Sequence, residues 1–118
     1  MSSEGRFIPY ETIDYVMTIN SAVSDVRKRR ADINTSNKVV FERSIDRYFW
    51  AVDALYVTLI PRLRTSKMRR LREEAHKIRT NGSSKDLIKL LDALFEEILN
   101  MLDRAGLLIR GERIVVEE

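Results

Sequence analysis

The sequence predicts an all-α protein, an antiparallel four-helix bundle with a short C-terminal β-hairpin. Three observations predict it. Apolar residues recur every three or four positions in four segments, short polar breaks with capping residues separate those segments, and the period changes after Gly106. Short loops between helices of similar length make antiparallel neighbours the default, hence an up-down bundle. The 118 residues are read as a single domain, 1–118, long enough for a real core.

The first helix is expected over about residues 10–31. Pro9 stands where proline is tolerated, at the opening position, and Ile13, Val16, Ile19, Val23 and Val26 are placed on one side. Asn34-Thr35-Ser36-Asn37 then forms a loop whose Ser or Asn can cap the second helix. That helix, about 38–60, is the most apolar, with Phe41, Ile45, Tyr48, Phe49, Val52, Leu55, Tyr56 and Leu59 at helical spacing. Pro61 lacks a backbone donor and crowds the preceding turn, so a break falls there.

Thr65-Ser66 offers a fresh cap for a third helix, about 66–79, whose inner face is Met68, Leu71, Ala75 and Ile78. In Thr80-Asn81-Gly82-Ser83-Ser84 the glycine ends one helix and Ser84 is expected to cap the next. The fourth helix, about 85–105, carries apolar residues over half its circumference, which implies two packing neighbours, and Gly106 stands as its stop. Beyond it, LLIRGERIVV over about 107–116 reads as two short apolar runs around a Gly-Glu turn, a hairpin that must pack on the helices or pair with a partner.

Composition narrows the classes of function. Hydrophobic residues at 44% and charged residues at 33% describe a globular, charge-rich chain. No apolar run approaches the ~20 residues of a membrane span, and MSSEGRFIPY has no apolar segment of signal-peptide type, so a cytoplasmic protein without membrane contact is expected. The absence of cysteine excludes disulfides and thiol chemistry, and with a single histidine no structural zinc site is expected. Four scattered glycines build no phosphate-cradling loop, and no cofactor or small-molecule substrate is expected. Glu73-Glu74 and Glu96-Glu97 are adjacent along their helices and point apart, which suits solvation better than acid–base work.

The charge distribution points further. Arg62 to Arg79 (RLRTSKMRRLREEAHKIR) holds eight Lys/Arg against two Glu, while the whole chain is only +3. A basic stripe concentrated on one element is how a surface that meets phosphates is often built. Arg62, Arg64, Lys67, Arg69, Arg70, Arg72, Lys77 and Arg79 are the candidate phosphate contacts, and with no base-reading signature in the sequence low sequence specificity is expected. Around the third helix, with Leu71 inward, Arg69 and His76 are placed on the far side and Arg70, Arg72, Lys77 and Arg79 on the flanks. A second cluster, Arg27-Lys28-Arg29-Arg30, is accounted for by the attraction of a helix C-terminus for cations.

Trp50 lies about 140° from the main stripe of its helix, with Ala54 and Val57, and with Arg43 and Arg47 beside it. A central helix buried on both sides is the favoured reading of that position. An exposed Trp50 would instead stack a base or anchor a partner. A protein-interaction module or self-associating accessory subunit is therefore the alternative function, with Trp50, Val57 and Leu99 at its interface.

Arg69 and Arg70 precede His76 by seven and six positions. This spacing resembles the Arg-x(4–6)-His pattern of HEPN-type ribonucleases, which are also small helical bundles. The resemblance covers eight residues, and Leu71 follows Arg70 where the family usually has a polar residue. It implies an Arg that stabilises phosphate charge and a His that moves protons. The reading favoured over it is a non-enzymatic protein that binds nucleic acid, DNA or RNA, or an acidic protein surface, through the basic helix.

Overall fold

Local sequence sets each element of this computed structural model, which describes residues 9–109 and the side chains of residues 13–109. The first helix, α1, spans Pro9–Ala31. Its core side is Ile19, Val23 and Val26, with Tyr15 and Ala22 packed alongside. Ile13 departs from the expectation and is 56% exposed. Six residues before Ile19, it lies about 120° around the helix from it, outside the narrow stripe that α1 buries against its main neighbour, α2. Tyr15 takes the inward place, donating to the Thr58 carbonyl at 3.2 Å and accepting from Ile60 N–H at 3.0 Å.

The second helix, α2, spans Lys38–Thr58 behind an Asn37 cap, whose side-chain oxygen accepts from Val40 N–H at 3.0 Å. Ser44, the buried polar residue of its first turns, accepts from Asn34 N–H and donates to the Phe41 carbonyl, so its hydroxyl is satisfied. Helix α2 stops two residues earlier than the sequence suggests. Ile60 takes the extended backbone that a following proline imposes, and Pro61–Leu63 forms a 3₁₀ turn with its own bonds to the carbonyls of Ile60 and Pro61.

Thr65 caps the third helix, α3, over Ser66–Asn81, accepting from Met68 N–H at 3.1 Å. The cap of the fourth helix, α4 (Ser84–Arg104), is Ser83 and not Ser84: its hydroxyl accepts from the N–H groups of Lys85 and Asp86. Helix α4 ends in a Schellman arrangement, with Leu107 N–H on the Leu102 carbonyl and Gly106 N–H on the Asp103 carbonyl. That geometry needs a left-handed residue, and Gly106 supplies it at φ 73°.

Helix α1 packs along α2, and α3 along α4; α2 laid against α4 joins the two hairpins. Consecutive helices run antiparallel, as the pairs Tyr15–Thr58, Asp53–Arg72 and Lys67–Glu97 show. Tyr48, Phe49, Leu55, Met68, Leu94 and Ile98 are among the fully buried side chains at the centre. Each large apolar side chain removed from water in this way contributes roughly 1.5–3 kcal/mol before entropy is counted. The wide apolar face of α4 is explained by its two neighbours, α2 and α3.

Leu107, Leu108 and Ile109 follow α4 without regular structure. The Asn20 amide holds them, donating to the Leu107 carbonyl at 2.8 Å and accepting from Ile109 N–H at 2.9 Å. The rest of the expected hairpin, 110–116, lies outside the described residues. Among the described residues no helix is long and apolar enough to cross a membrane.

Candidate nucleic-acid interface

The basic stripe divides into cations committed inside the fold and cations left to solvent. Two carboxylates on α2, Asp46 and Asp53, stand seven residues apart, and so do Arg72 and Arg79 on α3. With the helices antiparallel the pairs match as two rungs: Arg72 Nε donates to Asp53 Oδ1 at 2.6 Å, and Arg79 Nε to Asp46 Oδ1 at 2.9 Å. Arg72 closes its fork on Asp53 with a second bond of 3.3 Å, and its guanidinium lies 4.9 Å from the centre of the Tyr56 ring. Lys67 meets Glu97 of α4 at 3.0 Å. Arg64 also folds over Tyr56, with its guanidinium 5.2 Å from the ring centre and Nη2 on the Val57 carbonyl.

Arg62, Arg69, Arg70 and Lys77 have no carboxylate partner among the described residues; Arg69 donates only to the Ser66 hydroxyl, at 3.2 Å. These four side chains are exposed. Lys67, Arg72 and Arg79 thus commit their charge to carboxylates, Arg64 is folded over Tyr56 without one, and Arg62, Arg69, Arg70 and Lys77 remain exposed and unpaired.

His76 does not point away from the protein, as its angle from Leu71 suggests. Its Nε2 lies 3.0 Å from Asp53 Oδ1, and its ring meets Phe49 edge to face with centroids 4.9 Å apart. The cause is the route of α2, which packs on the flank of α3 that carries Arg72, His76 and Arg79, while Met68 and Ala75 are buried on its apolar side. Burial alone would push the Asp53 carboxyl up. Hydrogen bonds from Arg72 and His76, together with their charges, outweigh it and hold this carboxyl below the usual carboxylate range. His76 also lines a shallow groove with Arg72, Glu73 and Lys77 on the outer side of α3.

Trp50 is exposed, with 47% of its surface in solvent, which overturns the expectation of burial. Helix α2 meets α1, α3 and α4 on its other sides, and its outward stripe runs through Arg43, Arg47, Trp50, Ala54 and Val57, all exposed. The Trp50 and Phe49 rings meet edge to face, with centroids 4.9 Å apart and planes at 86°, and the Arg79 guanidinium lies 5.0 Å from the Trp50 ring centre. Trp50 borders an open cleft of about 350 Å³ between α1 and α2, with Arg29, Arg47, Ala51 and Ala54. A larger cleft of about 740 Å³ lies beside it, lined by Val39, Arg43, Arg47, Arg79, Ser84 and Leu87 among others.

The cluster ending α1 is likewise divided. Arg30 forks onto Asp92 of α4 at 2.8 and 3.1 Å, where Tyr48 also donates its hydroxyl to Asp92. Arg29 reaches the Trp50 cleft, leaning on Asp25 at 3.5 Å. Trp50 is thus where the basic end of α1 and the basic helix α3 approach one another, through Arg29 on one side and Arg79 on the other. Val57 is 51% exposed, whereas Leu99 is half-buried against the core.

Sequence reasoning misses Asp46, Asp53 and Asp92, the residues that decide which arginines are free. The matched seven-residue spacings of Asp46/Asp53 and Arg72/Arg79 are the signal that could have found two of them. No group of His, Asp and Glu among the described residues is arranged to hold a metal ion. Comparison with protein-family models, curated proteins and solved structures gives no match to this chain.

Proposed function

We propose that this protein is a non-enzymatic nucleic-acid-binding protein that contacts phosphates through the outward faces of α2 and α3, largely without sequence specificity. The observation that carries the reading is that exposed cations on these faces and in the turn before α3, Arg43, Arg47, Arg62, Arg69, Arg70 and Lys77 among them, have no carboxylate partner among the described residues. Cations engaged by internal carboxylates give up little more on meeting a phosphate, whereas unpaired ones release counterions from the nucleic acid. No array of base-reading amides accompanies them, so phosphate contact dominates.

Fluorescence anisotropy with labelled DNA and RNA at low and physiological salt tests the reading. Four to six phosphate contacts give a log–log salt slope of about −3 to −5. Absence of binding at low salt would refute it.

A second reading is a protein-interaction surface. Trp50 and Val57, exposed on one stripe of α2, favour it, since exposed aromatic anchors are what interfaces use. A sedimentation mass equal to that of one chain across a wide concentration range would exclude self-association through this stripe.

A further inference from the structure

We propose that Trp50 is a stacking platform for an unpaired base, so that this face takes single-stranded nucleic acid in preference to duplex. The proposal rests on the nucleic-acid reading above and adds the class of strand.

The ring is held in place before any ligand arrives. Phe49 abuts it edge to face, and Arg79 lies 5.0 Å from its centre. Arg79 is itself fixed by Asp46, at 2.8 Å from Nη2. A guanidinium near the ring leaves the indole oriented and adds positive charge beside it, a combination that favours an electron-rich base with a phosphate attached.

The surroundings of the ring fit a base with its backbone. Ala51 and Ala54, the residues one and four positions on, are small and leave the cleft beside Trp50 open to about 350 Å³. Arg47 stands at its border as the phosphate partner, while Arg29 on the other side is paired to Asp25. The carboxylates of the same cleft are already engaged, Asp25 by Arg29 at 3.5 Å and Asp46 by Arg79. Arg47 has no carboxylate partner among the described residues.

Duplex cannot use this surface in the same way. Paired bases are stacked on both faces and offer only their edges, while an unpaired base can lay its face on an aromatic ring. Such stacking tolerates any base, which agrees with the absence of base-reading groups.

Trp50 is the only tryptophan in the chain, so its fluorescence reports this site alone. The experiment titrates the full chain with a single-stranded DNA oligonucleotide, the same sequence as RNA, and the DNA duplex. It follows Trp50 emission together with the anisotropy of a label on the nucleic acid. The expected result is strong quenching by either single strand, and weaker binding of duplex with little quenching. Trp50→Ala should weaken single-strand binding about 5- to 150-fold and leave duplex binding nearly unchanged. Trp50→Phe, which keeps an aromatic face, should retain part of the preference. Equal affinity for single strand and duplex, with no quenching, would overturn the proposal and leave the nucleic-acid reading standing. No binding of any of the three would overturn both.

Discussion

Arg79 serves Asp46 and Trp50 at once: its nitrogens hold the carboxylate at 2.8 and 2.9 Å while its guanidinium lies 5.0 Å from the centre of the indole. The carboxylate fixes the arginine, and the arginine fixes one side of the only tryptophan. A side chain that the basic stripe offers as a phosphate contact is thereby used to orient an exposed ring.

Arg79→Ala should free that ring. Both partners are partly exposed, so the loss of stability should be small, about 1 kcal/mol from the ion pair and cation–π contact together. Acrylamide quenching of Trp50 should rise in the variant, and urea unfolding should give a nearly unchanged midpoint.

Asp53 gives the fold a dependence on acid. Its carboxyl is held below the ordinary value of 3.8 by Arg72 and His76, against the opposing effect of burial. A lowered folded value means the stabilisation is complete above about pH 4, where an unfolded carboxyl also ionises, and fades as pH falls through the lower folded value. Asp53→Asn should cost about 1–3 kcal/mol at neutral pH, because Arg72 and His76 lose their charged partner. Urea midpoints measured from neutral pH down to about pH 3 should fall less steeply in the variant than in the parent.

Tyr48 gives the opposite dependence. Burial first, and then the hydrogen bond it donates to Asp92 and that carboxylate's charge, hold its phenol well above the ordinary value of 10.0. A raised folded value leaves the stabilisation complete below about pH 10 and removes it progressively at higher pH, where the unfolded phenol ionises. Tyr48→Phe should cost about 1 kcal/mol at neutral pH and weaken the alkaline decline. Chemical unfolding at about pH 8 and about pH 11 checks both parts.

The helices were legible because their signals are local. Asn37, Thr65 and Gly106 announce helix ends by chemistry that depends on a few neighbouring groups, and the apolar repeats of α2 and α4 need no knowledge of their partners. Ile13 shows where local reading fails: it looks like part of an apolar series, yet α1 has one main neighbour and buries only a narrow stripe, which Ile13 misses. The site was less legible because charge pairing is tertiary. Nothing near Arg72 in sequence separates it from Arg70; only the placement of Asp53 on α2 commits one and leaves the other free. Trp50 depended likewise on which sides of α2 its neighbours occupy.

The contrast between Arg70 and Arg72 tests the central claim most directly, that the cations left without internal partners are the ones that meet phosphates. The measurement is the salt dependence of binding to one labelled single strand by the parent, Arg70→Ala and Arg72→Ala, with urea unfolding of each. Arg70→Ala is expected to lower the slope of log K against log salt by about one unit at unchanged stability. Arg72→Ala is expected to lower stability by about 1–3 kcal/mol and leave the slope nearly as in the parent. The reverse pattern, or a parental slope in Arg70→Ala, would contradict the account.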